Sequence, residues 1–404
     1  MTKIVSINLG NNESTGNIMR GITKCAKESG YNAICAYPLR LKNAKIMESD
    51  IVICGKWFHI LNGIIDSFIG ISNCGALLST LRLLHKLKKI QPELIHLHNI
   101  HGGYINIPLL FRYIKKNNIS LVWTLHDCWS FTGRCPHFIL SKCNKWKTGC
   151  FECPFPKNYY PAVLADRTKL MWKLKKKWFT SIEDLTIITP SKWLADLTRE
   201  SYLSKYPVKV INNGIRMDIF NPKENKFRKE YNIRKKFIVL GVSSGWSPRK
   251  GLDIFIKLEK NLGEEYQIVL VGTNSTIDKN LPPSIISIHH TSNQEELAEI
   301  YTAANVFVNP TREDTFPTVN IEALACGTPV ITFKTGGSPE ILDINSGIVV
   351  ECDDIDSLQD AIKETCEKNK FTEENCVKRA KHFDIDNRFK DYIKIYNDIL
   401  ERSK

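Results

Sequence analysis

The stretch VFVNPTREDTFPTVNIEALACGTPVITF, residues 306–333, decides how this chain folds. VFVNP is a short β-branched apolar run ending at a proline, as a strand does. TREDTF is a polar loop. From about Thr318 the pattern reads as a helix that Gly327 closes, and Pro329 opens the next strand. Strand, loop, helix and strand in this order form one unit of a parallel α/β sheet. In such a sheet, ligands sit at the carboxyl ends of strands, against helix N-termini whose free N–H groups hold phosphate or sugar oxygens. The loop and first helical turn occupy that place and bring two acids, Asp314 and Glu322. Glu322 does not complete a capping box, which needs the acid three residues after the cap rather than four after Thr318. Either acid alone could be surface charge. With Gly327, Pro329 and the Gly336-Gly337 pair beyond, they read as a ligand site, Asp314 at its rim and Glu322 reaching for hydroxyl groups.

The same alternation runs through the rest of the chain. Strands are expected at 3–9, 50–54, 94–98 and 121–127, then at 185–189, 208–212, 237–244, 266–272, 285–290, 306–310 and 329–333. Many are apolar on both faces, as parallel strands covered by helices must be. Helices are expected at 17–29, 252–262, 293–304, 318–326 and 355–368. The predicted fold class is α/β with two parallel sheets. The break between them falls near 195–225, at Pro207, the turn Asn212-Asn213-Gly214 and the polar segment NPKENKFRKE. Near the C-terminus Phe389, Tyr392, Ile393, Tyr396 and Ile399 recur at helical spacing, an amphipathic helix needing a surface to cover.

Bulk properties agree. A chain of 404 residues suggests two or three domains, and 43% apolar with 25% charged residues is a globular composition. A balance of 56 basic against 43 acidic residues, +13, favours anionic partners: nucleic acid, acidic lipid or phosphorylated small molecules. The opening MTKIVSINLG lacks a signal-peptide pattern, so a cytoplasmic setting is expected, with the 13 cysteines reduced or metal-bound. The longest apolar stretch, 58–72, is interrupted by Asn62 and Asp66 and is too short to span a membrane.

An acid, seven residues, then Glu-Ala-Leu-Ala-Cys-Gly-Thr-Pro-Val resembles the signature of the family 4 retaining glycosyltransferases. The resemblance implies two Rossmann-like domains with parallel sheets facing across a cleft, the glycosyltransferase-B fold. It covers nearly the whole chain, with an acceptor-binding domain over 1–200, a domain binding a nucleoside diphosphate sugar over 201–385, and a last helix, 386–404, crossing back onto the first. It implies that Glu322 holds the nucleotide's ribose and that Asp314 contacts the donor sugar. Asp stands where the family has Glu, so its reach is one methylene shorter, and Glu313 could compensate. Thr315, Phe316, Pro317 and Thr318 would line the donor. SSGWSPRKG (243–251) resembles the family's diphosphate loop. Lys250 matches its Lys, while Gly245 stands in place of the Arg, for which Arg249 is a substitute candidate.

In the first half, LVWTLHD ends with His126 and Asp127, where the family keeps a His against the transferred sugar. His98 and Asn99 end the neighbouring strand and could face the acceptor. Gly16, in the first strand–helix turn, would let backbone approach a phosphate or sugar. TLHDCWSFTGRCPHF followed by CNKWKTGCFECP resembles the branch that builds colanic-acid and O-antigen type polysaccharides, which implies a lipid-linked or growing glycan acceptor. The implied chemistry is retaining and metal-independent, with the departing phosphate taking the acceptor's proton. A nucleotide-sugar epimerase of the same fold is the alternative. A nucleic-acid-binding protein is the rival of another class, disfavoured because the basic residues are dispersed.

Two further expectations come from the residues themselves. Cys135, Cys143, Cys150 and Cys153 fall in one stretch closing on a C-x2-C, a ligand set for structural zinc with His137 in reserve. The apolar segment 58–72, and KLMWKLKKKWF (169–179) with its interleaved lysines and aromatics, would dock on anionic lipid, unless the aromatics of the second point into the core.

Overall fold

The computed structural model describes residues 1–39, 46–69, 71, 73–154, 166–224, 226–234 and 237–402. The chain forms two compact units, residues 1–211 with 389–404, and residues 212–388. The boundary thus lies eleven residues beyond the expected one at 200/201, after the last strand of the first sheet rather than within the helix and turn that precede it.

The described residues of the N-terminal unit contain strands β1 (Lys3–Ile7), β2 (Asn32–Tyr37), β3 (Ile51–Val52), β4 (Leu94–Leu97), β5 (Ser120–Thr124), β6 (Leu185–Thr189) and β7 (Val208–Val210). They form one parallel sheet in the order β3-β2-β1-β4-β5-β6-β7. Helices α1 (Glu13–Glu28), α2 (Lys56–Ile69), α3 (Leu77–Ile90), α4 (Ile107–Lys116), α5 (Thr168–Phe179) and α6 (Lys192–Glu200) connect them. β5 and β6 are buried along their whole length, which is why their sequences lack polar alternation. Trp123 packs edge-on against Phe179 at 4.7 Å, with Phe111 beside both. Burying a ring of this size contributes on the order of 2–3 kcal/mol.

The second unit has β8 (Phe237–Val242), β9 (Tyr266–Val271), β10 (Ile286–Ile288), β11 (Val306–Asn309), β12 (Val330–Phe333) and β13 (Gly347–Val350), ordered β10-β9-β8-β11-β12-β13 and parallel throughout. Its helices are α7 (Phe227–Glu230), α8 (Leu252–Asn261), α9 (Ser275–Asp278), α10 (Gln294–Ala303), α11 (Thr318–Ala325), α12 (Ile355–Glu367) and α13 (Glu373–Ala380). Helix starts follow local chemistry: Asn293 caps α10 through the Glu296 N–H, and Asp354 caps α12 through that of Ser357. The last helix, α14 (Ile385–Arg402), buries Tyr392 and Tyr396 in the N-terminal unit, where the Tyr396 hydroxyl lies 2.7 Å from Nδ1 of His96 on β4.

Strands β2 and β13 were not expected. NAICAY is rich in Ala and Cys and short of β-branched residues, and GIVV offers only four positions. α5 corrects another expectation. Met171, Trp172 and Phe179 are buried, and Lys175 is fully enclosed, donating to the carbonyls of Trp129 and Thr132 with its ammonium 3.6 Å from the centre of the Trp129 ring. Burial pulls the Lys175 pKa down to about 7. The aromatic stripe of 169–179 therefore belongs to the core, not to a lipid-facing surface. Among the described residues, no helix is long and apolar enough to cross a membrane.

Candidate active site

In the C-terminal sheet the strand order reverses between β8 and β11, which opens a crevice outside their carboxyl ends. Two loops meet there. After β8, residues 243–247 lead to a single 3-10 turn, Pro248–Lys250, closed by Gly251 in the left-handed region at φ 77°. A Cβ on Gly251 would lie 2.4 Å from the Pro310 carbonyl oxygen, so only glycine lets this turn sit against the end of β11. The second loop, 310–317, carries Glu313 and Asp314.

Backbone and side chains tie the loops together. The Arg312 N–H donates to the Arg249 carbonyl at 2.9 Å, and the Arg249 guanidinium donates to the Glu313 carbonyl at 2.9 Å. The Arg312 side chain grips both oxygens of Asp253 at 2.8 and 2.7 Å and reaches Asp353 at 2.7 Å. Over this frame the Lys250 ammonium meets Oδ2 of Asp314 at 2.7 Å, both side chains partly exposed. Gly336, at φ 54°, passes so close that a Cβ would fall 1.7 Å from the Asp314 carbonyl oxygen, and the Gly337 N–H donates to that oxygen at 3.2 Å.

Glu322 lies one turn into α11, whose N-cap is Pro317, and takes no part in capping. Its Oε2 accepts from the Tyr301 hydroxyl at 3.2 Å. Burial raises its pKa to about 7, against the hydrogen bonds from Tyr301 and Thr318. The carboxyl is thus poised between its two forms near neutrality.

The residues expected to line the donor make contacts within the protein. The Phe316 ring packs on Phe383 at 5.7 Å in the core, and its N–H donates to Asp314 Oδ1 at 3.3 Å, so Phe316 shapes the turn. Thr315 and Pro317 are buried, Thr318 only partly. Glu313, the suggested substitute for a longer acid, is also buried. At Gly245 an added Cβ would meet nothing within 4 Å, so the place of the family's arginine is open space.

The N-terminal sheet has its own reversal between β1 and β4. Buried Asn8, after β1, donates to Gly10 O at 2.8 Å and accepts the Asn99 N–H at 3.1 Å, binding the two loops there. Gly16 lies in the first turn of α1, where a Cβ would stand 2.7 Å from the Asn11 carbonyl carbon. The backbone that approaches Gly16 is the chain's own, at Gly10 and Asn11.

His98 and His126, at the ends of β4 and β5, stack with ring centres 5.4 Å apart, His98 Nδ1 lying 3.1 Å from His126 Nε2. The His96 ring lies tilted against His98, with centres 4.1 Å apart. Burial holds His126 down at about 4 and His98 well below its ordinary value, so these imidazoles are neutral at pH 7. Asp127 accepts from His101 at 3.1 Å; burial opposes its ionisation, yet His101 keeps its pKa below the usual range. Buried His98 Nε2 and Ser130 Oγ have no protein partner among the described residues, and both residues line one small cavity with His101, His126 and Asp127.

The cysteine stretch is not gathered for metal. Among the described residues, no three His, Cys, Asp or Glu side chains are grouped to hold an ion. Cys135, Cys143 and Cys150 pack against the apolar core instead, and Cys150 Sγ accepts the Gly133 N–H at 3.0 Å. Burial and neighbouring thiols push Cys135 up to about 12 and Cys150 to about 11. Cys153 is partly buried, its N–H donating to Asp166, and His137 is also partly buried. Sequence reasoning missed Tyr301, Arg312 with its two aspartates, and His101. Each acts through a partner distant in sequence, and no spacing rule reveals such pairs.

Two doubly wound parallel sheets, one bearing this acid–lysine pair and its helix-borne glutamate, define a two-domain α/β architecture with ligand crevices at its strand reversals. The chain belongs to the family 4 glycosyltransferases: Glycosyltransferase Family 4 matches residues 57–219, and Glycosyl transferases group 1 matches 223–383. It is 26% identical over 278 residues to a putative colanic acid biosynthesis glycosyl transferase, WcaC, of Escherichia coli (strain K12), a match covering 65% of each chain. Separate matches over 171 and 201 residues span 38% and 48% of two further curated relatives, both D-inositol 3-phosphate glycosyltransferases. Among solved structures, sucrose-phosphate synthase from Thermosynechococcus elongatus shares the fold over 100% of both chains, at a TM-score of 0.73 and 17% identity. HepE of Anabaena, solved with UDP, shares it over 98% of this chain and 100% of its own, at 0.69 and 16%.

Proposed function

We propose that the protein is a retaining, metal-independent hexosyltransferase that moves a sugar from a nucleoside diphosphate sugar to a lipid-linked or growing surface-polysaccharide acceptor. The observation that carries this is the Lys250–Asp314 pair at the crevice between β8 and β11. A cation and an acid side by side suit a ligand with a diphosphate at one end and sugar hydroxyls at the other. In this reading the C-terminal unit binds the donor. Glu322 holds the ribose with its carboxyl group, and Asp314 takes a sugar hydroxyl. Lys250, the N–H groups at the start of α11 and, secondarily, Arg249 stabilise the negative charge that grows on the departing diphosphate. That charge is met by protein donors, so no bridging metal is required. The departing phosphate oxygen takes the acceptor hydroxyl's proton as the new bond forms on the face the phosphate leaves. The N-terminal unit binds the acceptor, with neutral His126 and His98 able to donate to, or accept from, sugar hydroxyls. The name of the colanic-acid relative and the UDP bound by HepE support this assignment.

The test is a thermal-shift panel with UDP-, GDP- and dTDP-sugars in the presence of a chelator, since a ligand of the native state must raise its stability. One nucleotide class should raise Tm, and Glu322→Gln should diminish the rise. Turnover with that donor should give a product of unchanged anomeric configuration by NMR. No stabilisation by any nucleotide sugar, or an inverted product, would overturn the reading.

A further inference from the structure

α2 is amphipathic in the wrong sense for a helix covering a core. Trp57, Ile60, Leu61 and Ile64 stand at helical spacings of three and four, and all are exposed, Trp57 by 80%. Phe58 is half-exposed beside them. The opposite face carries Asn62 and Asp66, both buried, and His59, whose ring nitrogen lies 2.8 Å from the Gly102 carbonyl. The polar face is turned inward and the apolar stripe outward. An apolar patch of this size on a soluble surface marks a contact with something apolar.

α3 continues the pattern. The Asn73 N–H donates to Asp66 Oδ2 at 2.6 Å, which ties the end of α2 to the turn that starts α3. Leu77, Leu78 and Leu81, on the first turns of α3, are exposed, while Leu83 and Leu87 fill the core. The exposed remainder of α3 is basic, with Arg82, Lys86, Lys88 and Lys89, and the helix has no acid. The one acid of α2 is the buried Asp66.

We propose that α2 and the first turns of α3 form a membrane-docking surface for anionic lipid. The apolar side chains would enter the acyl boundary, with Trp57 at headgroup depth, and the basic end of α3 would lie against headgroup phosphates. The choice of occupant follows from charge. A second copy of the chain would set this basic end against another, whereas a layer of anionic headgroups complements it. Residues 70 and 72 of the apolar segment first singled out lie outside the described residues. The surface instead gains Trp57 and the leucines of α3, and it owes nothing to the 169–179 stretch.

The experiment is co-sedimentation of the full chain with vesicles of phosphatidylethanolamine and phosphatidylglycerol, beside vesicles of phosphatidylcholine alone, and it is independent of transferase activity. Binding should favour the anionic vesicles and fall at least severalfold between low and physiological salt. Trp57→Ser/Leu61→Glu should abolish it, and Arg82→Glu/Lys86→Glu should remove its salt-sensitive part. All four side chains are exposed, so an unchanged Tm is expected and confirms folding. No sedimentation at low salt, or equal binding by wild type and the Trp57→Ser/Leu61→Glu protein, would overturn the proposal. So would a wild-type dimer that the same double substitution turns into a monomer, which would give the surface to a second copy.

Discussion

Lys250 and Asp314, 64 residues apart in sequence, form an ion pair at 2.7 Å where the C-terminal sheet reverses direction. The carboxylate satisfies the ammonium, so in the proposed reading a diphosphate draws the lysine away from its partner. Lys250→Ala should weaken a nucleoside diphosphate far more than the bare nucleoside. Asp314→Asn should do the reverse, tightening the diphosphate severalfold as competition for the ammonium is removed, since a partly exposed pair is worth about 1 kcal/mol. Transfer should still fall at least tenfold in the Asn variant because the sugar contact is lost. Calorimetry with UDP or GDP reads the binding; equal losses for nucleoside and diphosphate in Lys250→Ala would remove the lysine from the phosphate site.

Glu322 makes a pH signature. Its folded pKa, about 7, lies above the ordinary 4.5, so the folded state holds the proton more tightly than the unfolded chain. The associated stability is fully present below pH 4.5 and is lost as pH rises through 7. The shift corresponds to no more than about 3–4 kcal/mol. Glu322→Gln never ionises, so above pH 8 it should be more stable than the parent by about 1–3 kcal/mol, with the gap closing toward pH 5. Urea unfolding at several pH values checks this. A gap that does not change with pH would show that the carboxyl is not held protonated by its surroundings.

The loop carrying Asp314 is held from behind by glycine. Gly336→Ala would place a methyl 1.7 Å from the Asp314 carbonyl oxygen and force a side chain into φ 54°. Relief must come from moving one of the two loops, at a cost of about 1–3 kcal/mol. Transfer should drop in protein that is still folded, because Asp314 is displaced. Gly245→Ala, which meets open space, should change stability by less than about 0.5 kcal/mol. Equal melting of the two variants and the parent would contradict the close packing.

Periodicity made much of this architecture legible, and failed where a decision depended on contacts across the chain. LTIIT is apolar on both faces and had to be an enclosed strand, as β6 is. NAICAY carries no comparable signal, because Ala and Cys are as much at home in helices. The acids at Asp314 and Glu322 were visible from their place after a strand and inside a helix, but Tyr301, which holds Glu322, lies 21 residues earlier. Two amphipathic stretches show the same limit from opposite sides. In 169–179 the basic aromatic stripe is core, even to Lys175, whereas in α2 the apolar stripe faces outward. A hydrophobic stripe records that a face is apolar without recording what covers it.

The stacked histidines of the N-terminal unit should titrate far below their usual range. His96, lowered to about 3 by burial and by His126, has both ring nitrogens within hydrogen-bond reach, of the Tyr396 and Thr124 hydroxyls at 2.7 and 2.8 Å. His126 lies near 4, and His98 between them is held well below 6.5. Their folded pKa values are depressed, so the stability they carry is present above pH 6.5 and is lost as pH falls toward 4. This sign is opposite to that of Glu322. Proton NMR of the imidazole rings should show all three still neutral at pH 5. His98→Phe keeps a flat ring in the stack but removes one titrating group and the contact at 3.1 Å to His126. Its stability should therefore fall less steeply between pH 6.5 and 5 than the parent's. In the proposed reading, its kcat/KM for the acceptor should decline while donor affinity, assigned to the other unit, stays within about twofold. A parallel loss of donor affinity would mean that His98 serves only the fold, and a ring that protonates near 6.5 would show that the stack is open to water.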